Sequence, residues 1–263
     1  LSFVEDPTRA FRAIRFEQRF GFTIGKLTAG LIENAVKMDF FKRLSGRRVF
    51  SELRQILNEE NPLPAFIRLE EFRLLKVIDP SITMRPKLRR MIESARGAIS
   101  WYDLLYMEDA YMKWGIYFMM LIRHTDREQS VEICRRFELP PKHEKLFVEG
   151  RLAAEECLHR LSRELPMANS RLYDILSGFQ TELILFMMAA TRHEYIKKAI
   201  SHFVTDLKDV RISVRGRDLK EMGLAPSPQY GPILRAVLKE KLDGRLETRN
   251  DELAFVENQI SGK

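Results

Sequence analysis

Cysteine is scarce in this sequence: Cys134 and Cys157 are the two among 263 residues, and they form no Cys-x-x-Cys pair. This argues against a disulfide framework and against a thiolate zinc site. Long apolar runs are also lacking, because the longest, Trp114 to Ile122 and Leu183 to Ala190, are about half of the roughly 20 residues that a membrane-spanning helix needs. We therefore predict a folded protein of the reducing cytoplasm with no membrane partner.

Patterns typical of a catalytic or metal site are lacking as well. The acidic pairs Glu70-Glu71 and Glu155-Glu156 are neighbours in helical segments, so their side chains point apart. His124-Thr125-Asp126 has no further histidine at a spacing that suits a metal ion, and the other histidines are scattered. We expect neither catalytic residues nor a metal site in this chain.

Helical spacing of apolar residues is what the sequence has in abundance. In the first such segment, from Asp6 to Phe20, apolar residues recur three and four positions apart. Asp6 can cap that helix, Pro7 fits its first position, and Gly21 ends it. Residues 65–200 continue as amphipathic helices with breaks at prolines, and only Val210 to Val214 alternates weakly. The predicted fold class is all-α.

Basic residues exceed acidic ones by 44 to 37, which gives a formal net charge of +7. The excess lies in the first 54 residues, where eight arginines accompany few acids, and again between Arg211 and Arg245. A polyanion is a natural partner for such segments, because each neutralised phosphate releases counterions. A solvated basic surface without a ligand is the alternative interpretation of the charge.

Asp6 and Arg9 are three residues apart and so lie on one face of a helix. Adenine presents its N6 amino donor beside the N1 acceptor, and cytosine presents N4 beside N3. A carboxylate that accepts from the amino group and a guanidinium that donates to the ring nitrogen would together imitate a pairing base. The structural alternative is an ordinary helix cap followed by a solvent-facing arginine.

The string FVEDPTRAFRAIRFEQRFGF, residues 3–22, resembles the neck motif of class II tRNA nucleotidyltransferases and bacterial poly(A) polymerases. The resemblance implies that Asp6 and Arg9, with Glu5 as the first member of the motif, recognise the base of the incoming nucleotide. It places Arg12 and Arg15 near that nucleotide. The segment from Ser45 to Leu53 is similar to the family's Arg-x-x-x-Glu helix, in which Arg48 and Glu52 can pair and organise the neck.

A third match lies near the end of the sequence, at VRGRDL (214–219), GLAPSP (223–228) and GPIL (231–234). It resembles the family's tail signature, although Ser227 replaces the usual glycine of its Pro-Gly-Pro. Two helix starts with glycines nearby would offer backbone N–H groups to phosphates. The residues that we expect to contact RNA are Arg215, Arg217, Lys220, Gly231 and Arg235.

The three matches imply an elongated, multi-helical arrangement of neck (1–60), body (61–205) and tail (206–263). In the family a preceding N-terminal head carries the catalytic carboxylates and two magnesium ions. This chain begins at Leu1 without a signal sequence, and its sequence offers no comparable group of carboxylates, so we expect a head-less part that is inactive alone.

The parent enzyme would add AMP from ATP, or both CMP from CTP and AMP, to the 3′ end of tRNA. The sequence leaves open A addition, full CCA addition and poly(A) synthesis. A non-enzymatic RNA-binding module and a helical protein-interaction scaffold are the alternatives from other classes.

Overall fold

The computed structural model describes residues 5–261, with only the backbone of Ser261. Within this range the chain forms helices and turns and no strand, which confirms the all-α fold class. The helices fall into two compact units, of which one includes the chain up to Glu156 together with Gln180–Arg192. The predicted neck, body and tail divide the chain differently, and that division stays a prediction.

The first unit contains the N-terminal helices and one later helix. Its helices are α1 (Arg9–Phe20), α2 (Lys26–Lys37), α3 (Gly46–Leu57), α4 (Leu63–Glu71), α5 (Leu75–Ile78), α6 (Pro86–Asp103), α7 (Lys113–Leu121), α8 (Arg127–Arg136), α9 (Pro141–Lys145), the first part of α10 (Arg151–Glu164) and α12 (Thr181–Ala190). A 3-10 turn, Phe40–Arg43, precedes α3, and a π-helical turn, Leu146–Gly150, joins α9 to α10.

The second unit contains the end of α10, α11 (Asn169–Leu176), α13 (Glu194–His202), α14 (Gly216–Glu221), α15 (Tyr230–Leu242) and α16 (Arg249–Ser261). Its core includes Val214, Leu219, Val237, Leu246 and Val256. Glu252 is buried beside this core, where its carboxylate accepts the backbone N–H groups of Ser213 and Val214 at 2.7 and 2.9 Å.

Most predicted helix breaks are present, but α1 begins at Arg9 and not at Pro7. The backbone bonds before it are three-residue turns, from the Arg9 N–H to the Asp6 carbonyl at 3.2 Å and from the Ala10 N–H to the Pro7 carbonyl at 3.1 Å. The Asp6 carboxylate accepts the backbone N–H of Thr8 at 3.1 Å and its hydroxyl at 2.5 Å. These two bonds form a side-chain turn that encloses Pro7 and precedes the first α-helical hydrogen bond.

The two longest apolar runs form helices α7 and α12, which are buried almost throughout. Around α7, five aromatic rings pack edge to face or tilted, with centroids about 5 to 6.5 Å apart, at Phe50, Trp114, Phe118, Phe137 and Phe147. Among the described residues no single helix has the length and apolarity to span a membrane; the successive helices α11 and α12 meet that criterion only when joined.

The segment 101–107 has aromatic and apolar residues at the helical spacing of a core segment, but only part of this stretch is buried. Tyr102 is buried, but Leu104 and Tyr106 are exposed. Helix α6 ends at Asp103, and Tyr106 has a left-handed backbone with φ of 50°. The helical spacing therefore stops before the apolar pattern does.

Arg151 is a fully buried cation that no sequence pattern singled out. Its guanidinium donates to the carbonyl oxygens of Phe147, Arg123 and Thr125 and to the Ser130 hydroxyl, at 2.9 to 3.4 Å. Its Nη1 also lies 3.5 Å from the carboxylate of Glu155. These bonds connect α10 to the turn between α7 and α8. They also satisfy buried carbonyl oxygens, whose burial without a hydrogen bond would lower stability.

The start of α3 provides a stability test. A Cβ on Gly46 would lie 1.7 Å from the carbonyl oxygen of Arg136, whereas a Cβ on Gly97, inside α6, meets nothing within 4 Å. Gly46→Ala should lower the free energy of unfolding by about 1–3 kcal/mol through overpacking. Gly97→Ala should raise it by about 0.5–1 kcal/mol through helix propensity. Chemical denaturation measures both, and equal stability of the two variants would contradict this packing.

Candidate nucleotide and RNA site

Asp6 is held between the start of α1 and the start of α3. Besides the two bonds from Thr8, its Oδ1 accepts Nη2 of Arg48 at 2.9 Å. The side chain of Asp6 keeps 26% of its accessible surface. All three of these bonds go to Oδ1, the atom through which the Asp6 side chain is fixed.

Arg9 is exposed one turn after Asp6, and its charge acts on that carboxylate. The hydrogen bond from the Thr8 hydroxyl is the largest influence that lowers the pKa of Asp6, and the charges of Arg48 and Arg9 lower it further. Asp6 is therefore ionised at neutral pH and can act only as an acceptor. The geometry is compatible with the predicted base recognition, which remains a prediction.

Arg48 and Glu52 do not form the pair that their spacing allowed. Arg48 reaches across to Asp6 instead, and the Oε2 atom of Glu52 is buried without a hydrogen-bond partner among the described residues. Burial is the main cause that raises the pKa of Glu52, the charge of Asp6 raises it further, and the charges of Arg12 and Arg15 oppose the shift. The Arg-before-Glu order is the weaker one on a helix, which favours the longer-range contact.

Arg12 and Arg15 extend the same site along α1. Arg12 is exposed, whereas Arg15 is mostly covered, and its Nη1 lies 3.4 Å from the carboxylate of Glu59. Nε of Arg15 is buried and makes no hydrogen bond within the described chain. The arginines near the carboxylates of Asp6, Glu52 and Glu59 are therefore Arg9, Arg12, Arg15, Arg19 and Arg48. This excess of guanidiniums suits a triphosphate beside a base.

Glu5 is exposed, and no hydrogen bond or ion pair is recorded for its side chain in residues 5–261. Two residues that the sequence analysis did not assign are central to the site. Thr8 supplies both of the local bonds to Asp6, and Glu59 accepts from Arg15 and lies 3.8 Å from Arg19. Thr8 was visible as part of the motif, but a hydroxyl two residues after an aspartate is a frequent local turn and carried no functional signal.

The predicted tail residues of the second unit lie at two helices: Arg215 directly precedes α14, Arg217 and Lys220 lie on α14, and Gly231 and Arg235 lie on α15. All four basic side chains are exposed, at Arg215, Arg217, Lys220 and Arg235. Gly231 is exposed too, and a Cβ added there would meet no atom within 4 Å. Gly216 is close to the ring of Tyr230, because a Cβ there would lie 3.3 Å from that ring. The starts of the two helices are therefore neighbours, which leaves a basic surface available to a polyanion.

Asp218 anchors this surface from within. It is buried and accepts the backbone N–H of Arg215 at 2.6 Å and Nη2 of Arg249 at 2.7 Å. The Arg249 bond is the main cause that lowers the pKa of Asp218. Asp218 therefore has a structural role, in which it caps the start of α14.

Metal ligands are not grouped in the part of the chain that the structure describes. Residues 5–261 contain no cluster of three or more histidine, cysteine, aspartate and glutamate side chains that could hold an ion. Both cysteines are free and buried.

The comparisons with known proteins define the class first. Residues 21–84 match a family model described as the probable RNA and SrmB binding site of polymerase A. In this segment, about a quarter of the chain, the protein is similar to an RNA-binding part of a polymerase.

Individual proteins and solved structures show more specifically what the chain is similar to. The chain is 37% identical over 257 residues to the A-adding tRNA nucleotidyltransferase of Geobacter sulfurreducens, which is 96% of this chain and 29% of that protein. It superposes on the Thermotoga maritima CCA-adding enzyme complexed with tRNA-CCA with a TM-score of 0.80 and 28% identity, over 99% of this chain and 62% of that one. A CCA-adding enzyme in complex with ATP gives a TM-score of 0.76 at 28% identity, over 100% of this chain and 61% of that one.

The family resemblance is thereby confirmed: this chain is homologous to the helical part of tRNA nucleotidyltransferases. It spans less than two thirds of the length of each of these relatives.

The buried carboxylate of Glu52 generates a pH prediction. The pKa of Glu52 in the folded chain lies above the ordinary value near 4.5. At pH values between the unfolded and the folded pKa, the folded state therefore binds more protons than the unfolded state. The contribution of Glu52 to the free energy of unfolding should therefore fall as pH rises from about 4 towards 7. Relative to the parent chain, Glu52→Gln should gain stability over that pH range.

Denaturant unfolding at several pH values measures this difference, with Glu33→Gln as the control, because Glu33 is exposed on α2. A Glu52→Gln variant that loses stability relative to the parent chain as pH rises would show that Arg12 and Arg15 stabilise the anion. That result would contradict the direction of the shift.

Proposed function

We propose that this chain selects the base of the incoming nucleotide and binds the RNA acceptor in an enzyme that adds nucleotides to the 3′ end of tRNA without a template. AMP transfer from ATP is the preferred reaction, because the relatives with the longest matches are named A-adding enzymes. CTP is a further candidate substrate, since a homologous CCA-adding enzyme has been solved with CTP.

The observation that carries the proposal is the state of Asp6. It is ionised, fixed at Oδ1 by Thr8 and Arg48, and within electrostatic reach of Arg9. A fixed acceptor beside a donor is what selection of adenine or cytosine requires. Guanine and uracil present a carbonyl where these bases present an amino group, so a carboxylate there would repel them.

The second part of the proposal is RNA binding by the basic surface of α14 and α15. Lys220 and Arg235 are exposed without an ion pair recorded in the described residues, and Arg217 is 3.9 Å from the anchored Asp218. The Thermotoga maritima enzyme on which the chain superposes was solved in complex with tRNA, which supports tRNA as the partner.

Catalysis is assigned to another part of the protein. A preceding nucleotidyltransferase head would hold Mg²⁺ and activate the RNA 3′-hydroxyl, while residues 5–261 offer no comparable group of carboxylates. We therefore propose that this chain alone does not incorporate nucleotides. Its two unpaired cysteines suit a reducing compartment, so the proposed location is the cytoplasm.

Poly(A) synthesis is a second candidate for the same machinery, because the matching family model is named for polymerase A. It differs in product length and not in the role of Asp6 and Arg9. The number of A residues added to a tRNA that ends in CC distinguishes the two candidates.

The test is reconstitution of the chain with a nucleotidyltransferase head, followed by incorporation of ATP, CTP, GTP and UTP into tRNA. The unaltered chain should favour ATP, alone or together with CTP. Asp6→Ala and Arg9→Ala should each reduce the preference over GTP by about tenfold or more, because each removes a charge-assisted hydrogen bond to the base.

Glu33→Ala and Arg163→Ala are the matched controls, since both side chains are exposed and remain outside the site. They should leave the preference unchanged. Unaltered base selectivity in Asp6→Ala and Arg9→Ala would refute the proposed recognition, and incorporation by the chain without a head would refute its dependence on one.

A further inference from the structure

Three phenylalanine rings form a ladder at the C-terminal end of α1. The ring centroids of Phe16 and Phe20 are 5.7 Å apart and those of Phe20 and Phe22 are 5.5 Å apart, with interplanar angles of 33° and 35°. Phe20 keeps 54% and Phe22 keeps 66% of its surface exposed. Adjoining aromatic rings that stay exposed to water form an apolar surface patch, and contiguous patches of this kind commonly mark a binding site.

Cationic side chains lie beside the rings of this ladder. The guanidinium carbon of Arg15 is 4.7 Å from the centroid of Phe16, and that of Arg19 is 5.6 Å from the centroid of Phe20. Glu59 offsets part of this charge, at 3.4 Å from Arg15 and 3.8 Å from Arg19. Exposed aromatic rings with guanidiniums over or next to them form the kind of surface on which unpaired nucleobases stack while phosphates contact the cations.

The ladder shares a helix face with the base-recognition site. At 3.6 residues per turn, Arg9, Phe16 and Phe20 lie within about 40° of one another around α1. The one acidic residue of this helix, Glu17, is buried, where its carboxylate accepts Nε of Arg68 at 2.9 Å. Between Arg9 and Phe20 the helix rises about 16 Å. This is the length of about five stacked nucleotides, or of fewer in an extended strand.

We propose that the Phe16–Phe20–Phe22 ladder is a stacking site for unpaired bases of RNA, so that a single strand follows α1 between the ladder and Asp6. Arg12 and Arg19, on the flank of this face, are placed for its phosphates. The inference rests on the proposed function and specifies which part of the RNA this face binds. A protein partner is the competing occupant, and it would cover the exposed Leu27 and Met38 of α2 together with the rings.

The test compares two labelled RNA hairpins, one with an unpaired 3′ overhang of three nucleotides and one with a blunt end, each bound to the whole chain. Phe20→Leu and Phe22→Leu keep an apolar side chain and remove the ring. Each should weaken binding of the overhang RNA by about fivefold or more and leave blunt RNA unchanged. Phe22→Trp should retain the affinity, and its indole fluorescence should be quenched by the overhang RNA but not by the blunt RNA.

Two control variants distinguish the loss of a stacking ring from the loss of any exposed apolar side chain and from a general loss of RNA binding. Leu27→Ala removes a non-aromatic side chain that is 81% exposed and should bind both RNAs normally. Arg235→Ala, on the tail surface, should weaken both RNAs equally and reduce the salt dependence of binding by about one counterion.

The proposal is overturned if the leucine variants bind overhang RNA as tightly as the parent chain, or if Leu27→Ala weakens binding as much as they do. In either case intact RNA binding by the parent chain leaves the proposed function standing. If the parent chain binds neither RNA at low salt, the RNA-binding part of the proposed function fails together with the ladder.

Discussion

The structure of the candidate site depends on the ion pair between Asp6 and Arg48. It joins the start of α1 to the start of α3 over 42 residues of sequence through the Oδ1 atom of Asp6. Thr8 fixes the same carboxylate from within its own turn and keeps it ionised. A partly exposed ion pair adds little to stability, so its value here is orientational: together with Thr8 it fixes the direction of the Asp6 carboxylate.

A rigid base supports this orientation. Helix α3 carries Arg48 on its exposed face and Phe50 on its buried face, where Phe50 packs against Trp114 and Phe118 of α7. Its first residue, Gly46, lies against the end of α8 with no room for a side chain. The position of Arg48 is therefore set by the core of the first unit, and a site on a packed helix is held more closely than a site on a loop.

Much of the fold could be predicted from the sequence, because helical spacing and proline breaks are local signals. The all-α class, the apolar core helices α7 and α12, and the end of α1 at Gly21 followed from such signals. The motif also singled out Asp6 and Arg9, whose role in base recognition stays a prediction. The Asp6–Arg48 bond, the buried Arg151 and the Glu52 Oε2 atom, which has no hydrogen-bond partner among residues 5–261, could not be predicted, because each depends on residues that meet only after the helices pack.

The central claim is that Asp6 accepts a hydrogen bond from the amino group of the base. Purine riboside triphosphate, which lacks the N6 amino group of ATP, tests it most directly in the reconstituted enzyme. We predict that the parent chain and Arg9→Ala both prefer ATP by about tenfold or more, and that Asp6→Ala uses the two nucleotides equally well. An Asp6→Ala enzyme that retains the full preference for ATP would contradict the claim.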